Sequence, residues 1–198
     1  WEWHALIMQR VKEKGLICFS SPFDETAVDF LETLDVPAYK IASFEINHLP
    51  LIRKVAATGK PLIISTGMST EDEIQEAVDA ARESSCKNLC LLKCTSTYPA
   101  SPKNSNVSTI RDIKSRFGCE AGLSDHTMGV GVAVAAIAHG ASVVEKHFTL
   151  CRADGGVDSS FSLEPAEMQS LVVETKRAWE SLGTPTYGTS DAEKKSLM

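Results

Sequence analysis

Short apolar runs alternate with longer amphipathic segments along this chain. Six runs, residues 16–22, 38–43, 61–66, 89–95, 120–126 and 141–147, are largely apolar and end in polar residues. Near-continuous apolar runs of this length predict parallel strands covered on both faces. The segments between them carry helical signals. Thr70 and Glu73 have the spacing of a capping box, and Ile74, Ala77, Val78 and Ala81 make one apolar face behind it. Ile110, Ile113 and Phe117 form a second stripe, and Gly118 stands where a C-terminal cap belongs. Pro50 and Pro165 suit first helical turns, and Met168, Leu171, Val172 and Trp179 follow the second at helical spacing. Residues 132–138 are apolar nearly all round, which predicts a deeply buried helix. Residues 1–14 read as a helix ahead of the first strand.

Strand–helix repetition predicts parallel βαβ units with right-handed crossovers. Two architectures compete, the doubly wound open sheet and the (β/α)₈ TIM barrel. No Gly-rich turn follows the first run, which weakens the dinucleotide-binding version. Every run instead ends in residues with chemistry, as the carboxyl-end face of a barrel does. The expectation is an α/β chain forming a partial TIM-barrel catalytic domain over residues 1–198, with six strands countable where closure needs eight.

Composition narrows the function classes. The chain has 198 residues, 43% hydrophobic and 23% charged, with a formal net charge of -6. That balance gives no electrostatic reason to bind nucleic acid or an anionic membrane. No apolar run approaches bilayer length, and Trp1-Glu2-Trp3-His4 lacks a signal-peptide pattern, so a cytoplasmic chain is expected. Without an initiator Met, a piece of a longer protein is expected. The six cysteines, Cys18, Cys86, Cys90, Cys94, Cys119 and Cys151, lack the paired C-x-x-C spacing of zinc sites. They read as reduced, small hydrophobes.

The six run ends place Ser20, Ser21, Lys40, Ser43, Glu45, Ser65, Thr66, Lys93, Thr95, Ser96, Tyr98, Ser124, Asp125, His126, Glu145, Lys146 and His147 on one rim. Hydroxyls and ammonium groups in such numbers suit a phosphate or carboxylate. His126 and His147 end successive strands and should be neighbours. Two imidazoles, completed by water and substrate oxygens, suit Mn²⁺, Zn²⁺, Fe²⁺ or Co²⁺. Lys40, Lys93 and Lys146 also leave open a Schiff-base aldolase, which needs a desolvated amine. A non-catalytic sugar- or phosphate-binding barrel is the reading from another class.

At these residues the chain resembles the sialic acid synthase family, most closely its pseudaminic acid branch. The matching segments are Glu2-Trp-His4, Cys18-Phe-Ser-Ser-Pro-Phe23, Ala38-Tyr-Lys-Ile-Ala-Ser-Phe-Glu45, Ser65-Thr-Gly67, Leu92-Lys-Cys-Thr-Ser-Thr-Tyr-Pro99, Gly122-Leu-Ser-Asp-His126, Glu145-Lys-His-Phe148 and Phe161-Ser-Leu163. They run in collinear order over nearly the whole chain. The resemblance implies a synthase that condenses phosphoenolpyruvate with an amino sugar on a divalent metal, Mn²⁺ or Mg²⁺, with Co²⁺ as a further option. It implies that His126 and His147 bind the metal and that Lys40, Ser43, Ser65, Ser124 and Ser21 hold phosphoenolpyruvate. Glu45 would lie beside the reacting carbons, and Ser96, Tyr98 and Asp158 would face the sugar or the metal's water shell. Relatives making N-acetylneuraminate tend to carry Asn where this chain has Ser96. The resemblance further implies two more barrel strands upstream, a C-terminal antifreeze-like domain and a homodimer. On that view the isolated chain should be nearly inactive and, with two uncovered sheet edges, prone to aggregate.

Overall fold

The structure, a computed structural model, describes residues 1–197. Five parallel strands form one sheet: β1 (Tyr39–Ile41), β2 (Leu62–Ser65), β3 (Leu89–Cys94), β4 (Glu120–Asp125) and β5 (Val144–Lys146). Seven α-helices accompany them among the described residues: α1 (His4–Glu13), α2 (Glu25–Thr33), α3 (Leu49–Ala57), α4 (Glu71–Glu83), α5 (Thr109–Phe117), α6 (Gly131–Ala138) and α7 (Pro165–Ser181).

Strand order decides between the two architectures. The sheet runs β1-β2-β3-β4-β5 with no reversal. Right-handed crossovers that always step the same way put every connecting helix on the same face. A doubly wound sheet must reverse direction to cover both faces. The sheet is therefore a curled half-barrel with helices outside, of the TIM-barrel type.

The local signals act as their residue types dictate. Thr70 and Glu73 close a reciprocal capping box on α4, with Thr70 N–H donating to Glu73 Oε2 at 2.7 Å. Gly118 ends α5 in the left-handed region at φ 56°. Ile110, Ile113 and Phe117 of α5 are all buried. The core between helices and sheet holds Leu51, Ile52, Ile64, Val78 and Leu91, none of which retains measurable exposure.

Two sequence expectations need correction. The run at 16–22 is not a strand; it makes one parallel bridge, Ser20 to Tyr39, with Lys40 N–H donating to the Ser20 carbonyl. Pro22 has no N–H to donate two residues later, so the ladder stops there. Five strands are formed among the described residues, where six were counted. The helix at 132–138 is also less buried than its composition predicts: only Ala133, Ala136 and Ile137 are buried. It lies in the outer layer, with one face on the sheet and α7 beside it, so Val134, Ala135 and Ala138 border an open groove.

Gly122 in β4 has a steric reason. A Cβ there would strike the Val143 carbonyl oxygen and approach Leu92 Cδ2 to 2.7 Å. Gly122→Ala is expected to destabilise the fold by at least ~1–3 kcal/mol, the usual cost of overpacking. The urea midpoint would report the loss.

Candidate active site at the mouth of the half-barrel

Period-2 alternation sorts the strand residues. In register, Lys40 pairs with Ile63, Ser65 with Leu92, Cys94 with Ser124, and Ser124 with Glu145. Paired residues share a face, so these polar groups line the concave side. Leu91, Ile64, Ile41 and Tyr39 alternate with them and pack under the helices. The inner face is thus polar near the strand ends, where a core would be apolar.

On that face lies an anion cradle. Lys40 is 6% exposed; its Nζ donates to the Ile41 carbonyl at 3.2 Å and lies 3.3 Å from Glu145 Oε2. Ser124 Oγ donates to Glu145 Oε1 at 2.6 Å. Ser43 and Ser65 are buried, and Ser65 Oγ finds no hydrogen-bond partner among the described residues. A buried orphan hydroxyl is costly and implies a missing polar partner. Gly67, at φ 46°, lets the loop after β2 close on this cradle. A Cβ at Gly67 would collide with the Ser43 side chain and come within 3.1 Å of Ser96 Oγ.

Beside the cradle stands the histidine pair. The rings of His126 and His147 have centroids 5.2 Å apart, tilted by 59°. With metal–nitrogen bonds near ~2.1 Å, two imidazoles at this spacing are within reach of one ion. His126 Nδ1 lies 3.0 Å from the Thr95 carbonyl, so it donates there and leaves Nε2 to accept. Asp158 Oδ2 is 3.6 Å from His147 Nδ1, close enough to orient the ring electrostatically. Tyr98 and Phe161 complete a ring cluster, their centroids 4.5 Å from His126 and 5.0 Å from His147 respectively. No group of three His, Cys, Asp or Glu able to hold a metal occurs among the described residues. Two imidazoles converge at the mouth, and the described residues bring no third such group to them.

The electrostatics set the two rings apart. Burial lowers the His147 pKa, and neighbouring His126 lowers it further. That keeps the ring neutral, the form a metal needs. Burial also opposes charge on His126, but the Cys94 thiol and the Thr95 carbonyl outweigh it and hold its pKa above the ordinary value. Cys94 Sγ is 4.0 Å from His126 Nδ1. Burial pushes the thiol up, while hydrogen bonding from His126, Ser43 and Ser96 brings its pKa down to about 7. Burial raises Glu45, whose Oε2 is buried without a partner among the described residues.

The lysines separate by face. Lys93 points outward between α4 and α5, where its Nζ donates to the Cys94 carbonyl at 2.7 Å and burial lowers its pKa. Lys146 also faces outward and pairs with Asp125 Oδ2 at 2.7 Å. Only Lys40 reaches the mouth, so the Schiff-base reading loses two of its three candidates. Ser21 lies half-buried at the open edge, with no hydrogen bond to the cradle among the described residues. Glu145, Cys94 and Phe161 are site residues to which the sequence reading assigned no role. Glu145 was legible in principle, since it has the parity of a residue two before a rim histidine.

Residues 1–187 match the profile of the NeuB family. The chain belongs to the NeuB family. It is 41% identical over 197 residues to a pseudaminic acid synthase of Campylobacter jejuni, covering 100% of this chain and 57% of that protein. A second relative, N,N'-diacetyllegionaminic acid synthase of the same species, is 36% identical over 98% of this chain and 59% of its own length. A solved N-acetylneuraminic acid synthetase from Leptospira borgpetersenii, in complex with citrate, superposes at a TM-score of 0.92. It shares 32% identity and covers 99% of this chain and 68% of its own. This NeuB chain thus spans well under two thirds of the curated relatives it matches. No described helix is long and apolar enough to cross a membrane.

Proposed function

We propose that this chain supplies the catalytic half-barrel of a cytoplasmic pseudaminic acid synthase. The reaction joins phosphoenolpyruvate to a 2,4-diacetamido-2,4,6-trideoxy hexose, giving a nonulosonic acid and phosphate. The observation that carries the reading is the convergence of Lys40, Ser43, Ser65 and Ser124 with His126 and His147 at one mouth, although they lie far apart in sequence. Identity to a named pseudaminic acid synthase over the whole chain supports the same choice of product.

The residues divide the work. Lys40 provides a fixed positive charge for the anionic substrate, and Ser65 and Ser124 donate hydrogen bonds to its oxygens. His126, held by the Thr95 carbonyl, and His147, held by Asp158, present their remaining nitrogens to a divalent metal, Mn²⁺, Mg²⁺ or Co²⁺. Such an ion, when bound, polarises the sugar aldehyde as a Lewis acid. Tyr98 and Ser96 border the sugar's side of the pocket. The phosphoenolpyruvate C2–C3 π pair bonds C3 to the aldehyde carbon as the carbonyl π pair moves onto its oxygen; water adds at C2, one of its protons ends on the former aldehyde oxygen, and the other leaves with phosphate on C–O cleavage. Glu45, a half-buried residue whose carboxyl has a raised pKa, takes a proton of that water. Stacking both substrates in one mouth lowers the entropic part of the barrier.

Phosphate release from phosphoenolpyruvate tests the proposal, using the intact protein, Mn²⁺ and a panel of amino sugars. Release with the trideoxy diacetamido hexose is expected. Release only with a legionaminic or neuraminic acid precursor would reassign the sugar, and release with none would reject the synthase reading.

A further inference from the structure

Glu145 sits inside the anion cradle and is itself an anion. One of its oxygens accepts the Ser124 hydroxyl at 2.6 Å, and the other lies 3.3 Å from Lys40 Nζ. A carboxylate shared between a hydroxyl and an ammonium makes the contacts that a substrate carboxylate or phosphate oxygen would make. An incoming anion must therefore compete with Glu145 for the same two donors. Like charges cannot share so small a space without strong repulsion.

The two sides of this contact differ in freedom. The Lys40 side chain is 8% exposed, whereas that of Glu145 is 40% exposed. Lys40 is hemmed in and also donates to the Ile41 carbonyl, while the Glu145 side chain is partly open to solvent. Ser65 Oγ, nearby on β2, has no partner among the described residues. Two donors of the cradle are thus satisfied from within, and a third, Ser65 Oγ, has no partner among the described residues.

We propose that Glu145 is an internal stand-in for the anionic substrate. It keeps Lys40 and Ser124 ordered in the empty site, and it turns aside toward solvent when phosphoenolpyruvate enters. Glu145 thereby weakens phosphoenolpyruvate binding in exchange for a pre-formed pair of donors. The proposal rests on the assignment of phosphoenolpyruvate to this cradle.

Isothermal titration with phosphoenolpyruvate on the intact protein separates the possibilities. Wild type, Glu145→Gln, Glu145→Ala and Lys40→Ala are compared. Both Glu145 variants are expected to bind phosphoenolpyruvate roughly three- to tenfold more tightly than wild type, since a part-exposed charged contact no longer competes. KM for phosphoenolpyruvate should fall in parallel, and Lys40→Ala should bind least. Weaker or unchanged binding in both Glu145 variants, with wild-type binding intact and lost in Lys40→Ala, overturns the stand-in and leaves the substrate assignment in place. Absence of binding to wild type and to both Glu145 variants rejects the assignment and the stand-in together.

Discussion

Replacing His126 or His147 by alanine is expected to abolish Mn²⁺ binding and turnover while leaving the fold intact. In the proposed site two imidazoles hold the ion, so removing one leaves a single anchor. Loss of an outer partner of a metal ligand already costs about 10–100-fold in affinity. Loss of the ligand itself should exceed that range. The fold should survive, because both rings lie on the rim beyond β4 and β5, outside the core between sheet and helices. Calorimetric titration with Mn²⁺ and far-UV circular dichroism on the intact protein would check both halves. Wild-type Mn²⁺ affinity in either variant would defeat the assignment of the pair.

The second large effect concerns stability. Asp125 and Lys146 pair on the outer face with side chains 1% and 2% exposed. Asp125 Oδ1 also accepts from the Thr127 N–H at 2.9 Å and from its hydroxyl at 2.7 Å, and Lys146 Nζ donates to the Thr127 carbonyl. Lys146→Met leaves a buried carboxylate without its cation and is expected to cost about 3–5 kcal/mol. Adding Asp125→Asn removes the stranded charge, keeps an acceptor for Thr127, and should recover much of that loss. Urea denaturation of the two variants would measure the coupling. A Lys146→Met midpoint equal to wild type would refute it. The pair has a functional consequence as well. Asp125 precedes His126 and Lys146 precedes His147, so the bridge pins the two strand ends that present the imidazoles.

Much of the fold was legible because local signals and global topology agree. The capping box at Thr70 and Glu73, the cap at Gly118 and the stripe Ile110, Ile113, Phe117 act through neighbours within one turn. Such short-range physics needs no tertiary context. The run at 16–22 failed as a strand for a reason partly visible in sequence, since Pro22 removes the next donor. The exposure of α6 was not legible, because composition reports how apolar a helix is and not which layer it occupies.

The site divides in the same way. Sequence alone determined which strand ends carry hydroxyls, ammonium groups and imidazoles, and that parallel topology gathers them on one rim. It also supplied the family resemblance. Tertiary structure alone decided which of these groups look inward. Lys40, Lys93 and Lys146 read alike along the chain, yet only Lys40 faces the mouth. Facing depends on pairing parity, and a shift of one residue in register turns a side chain to the opposite face. Likewise, only the fold revealed that Glu145 reaches both Ser124 and Lys40, for that contact spans from β5 back to β1. Contacts of that range are set by how the sheet curls, and no local pattern encodes the curl.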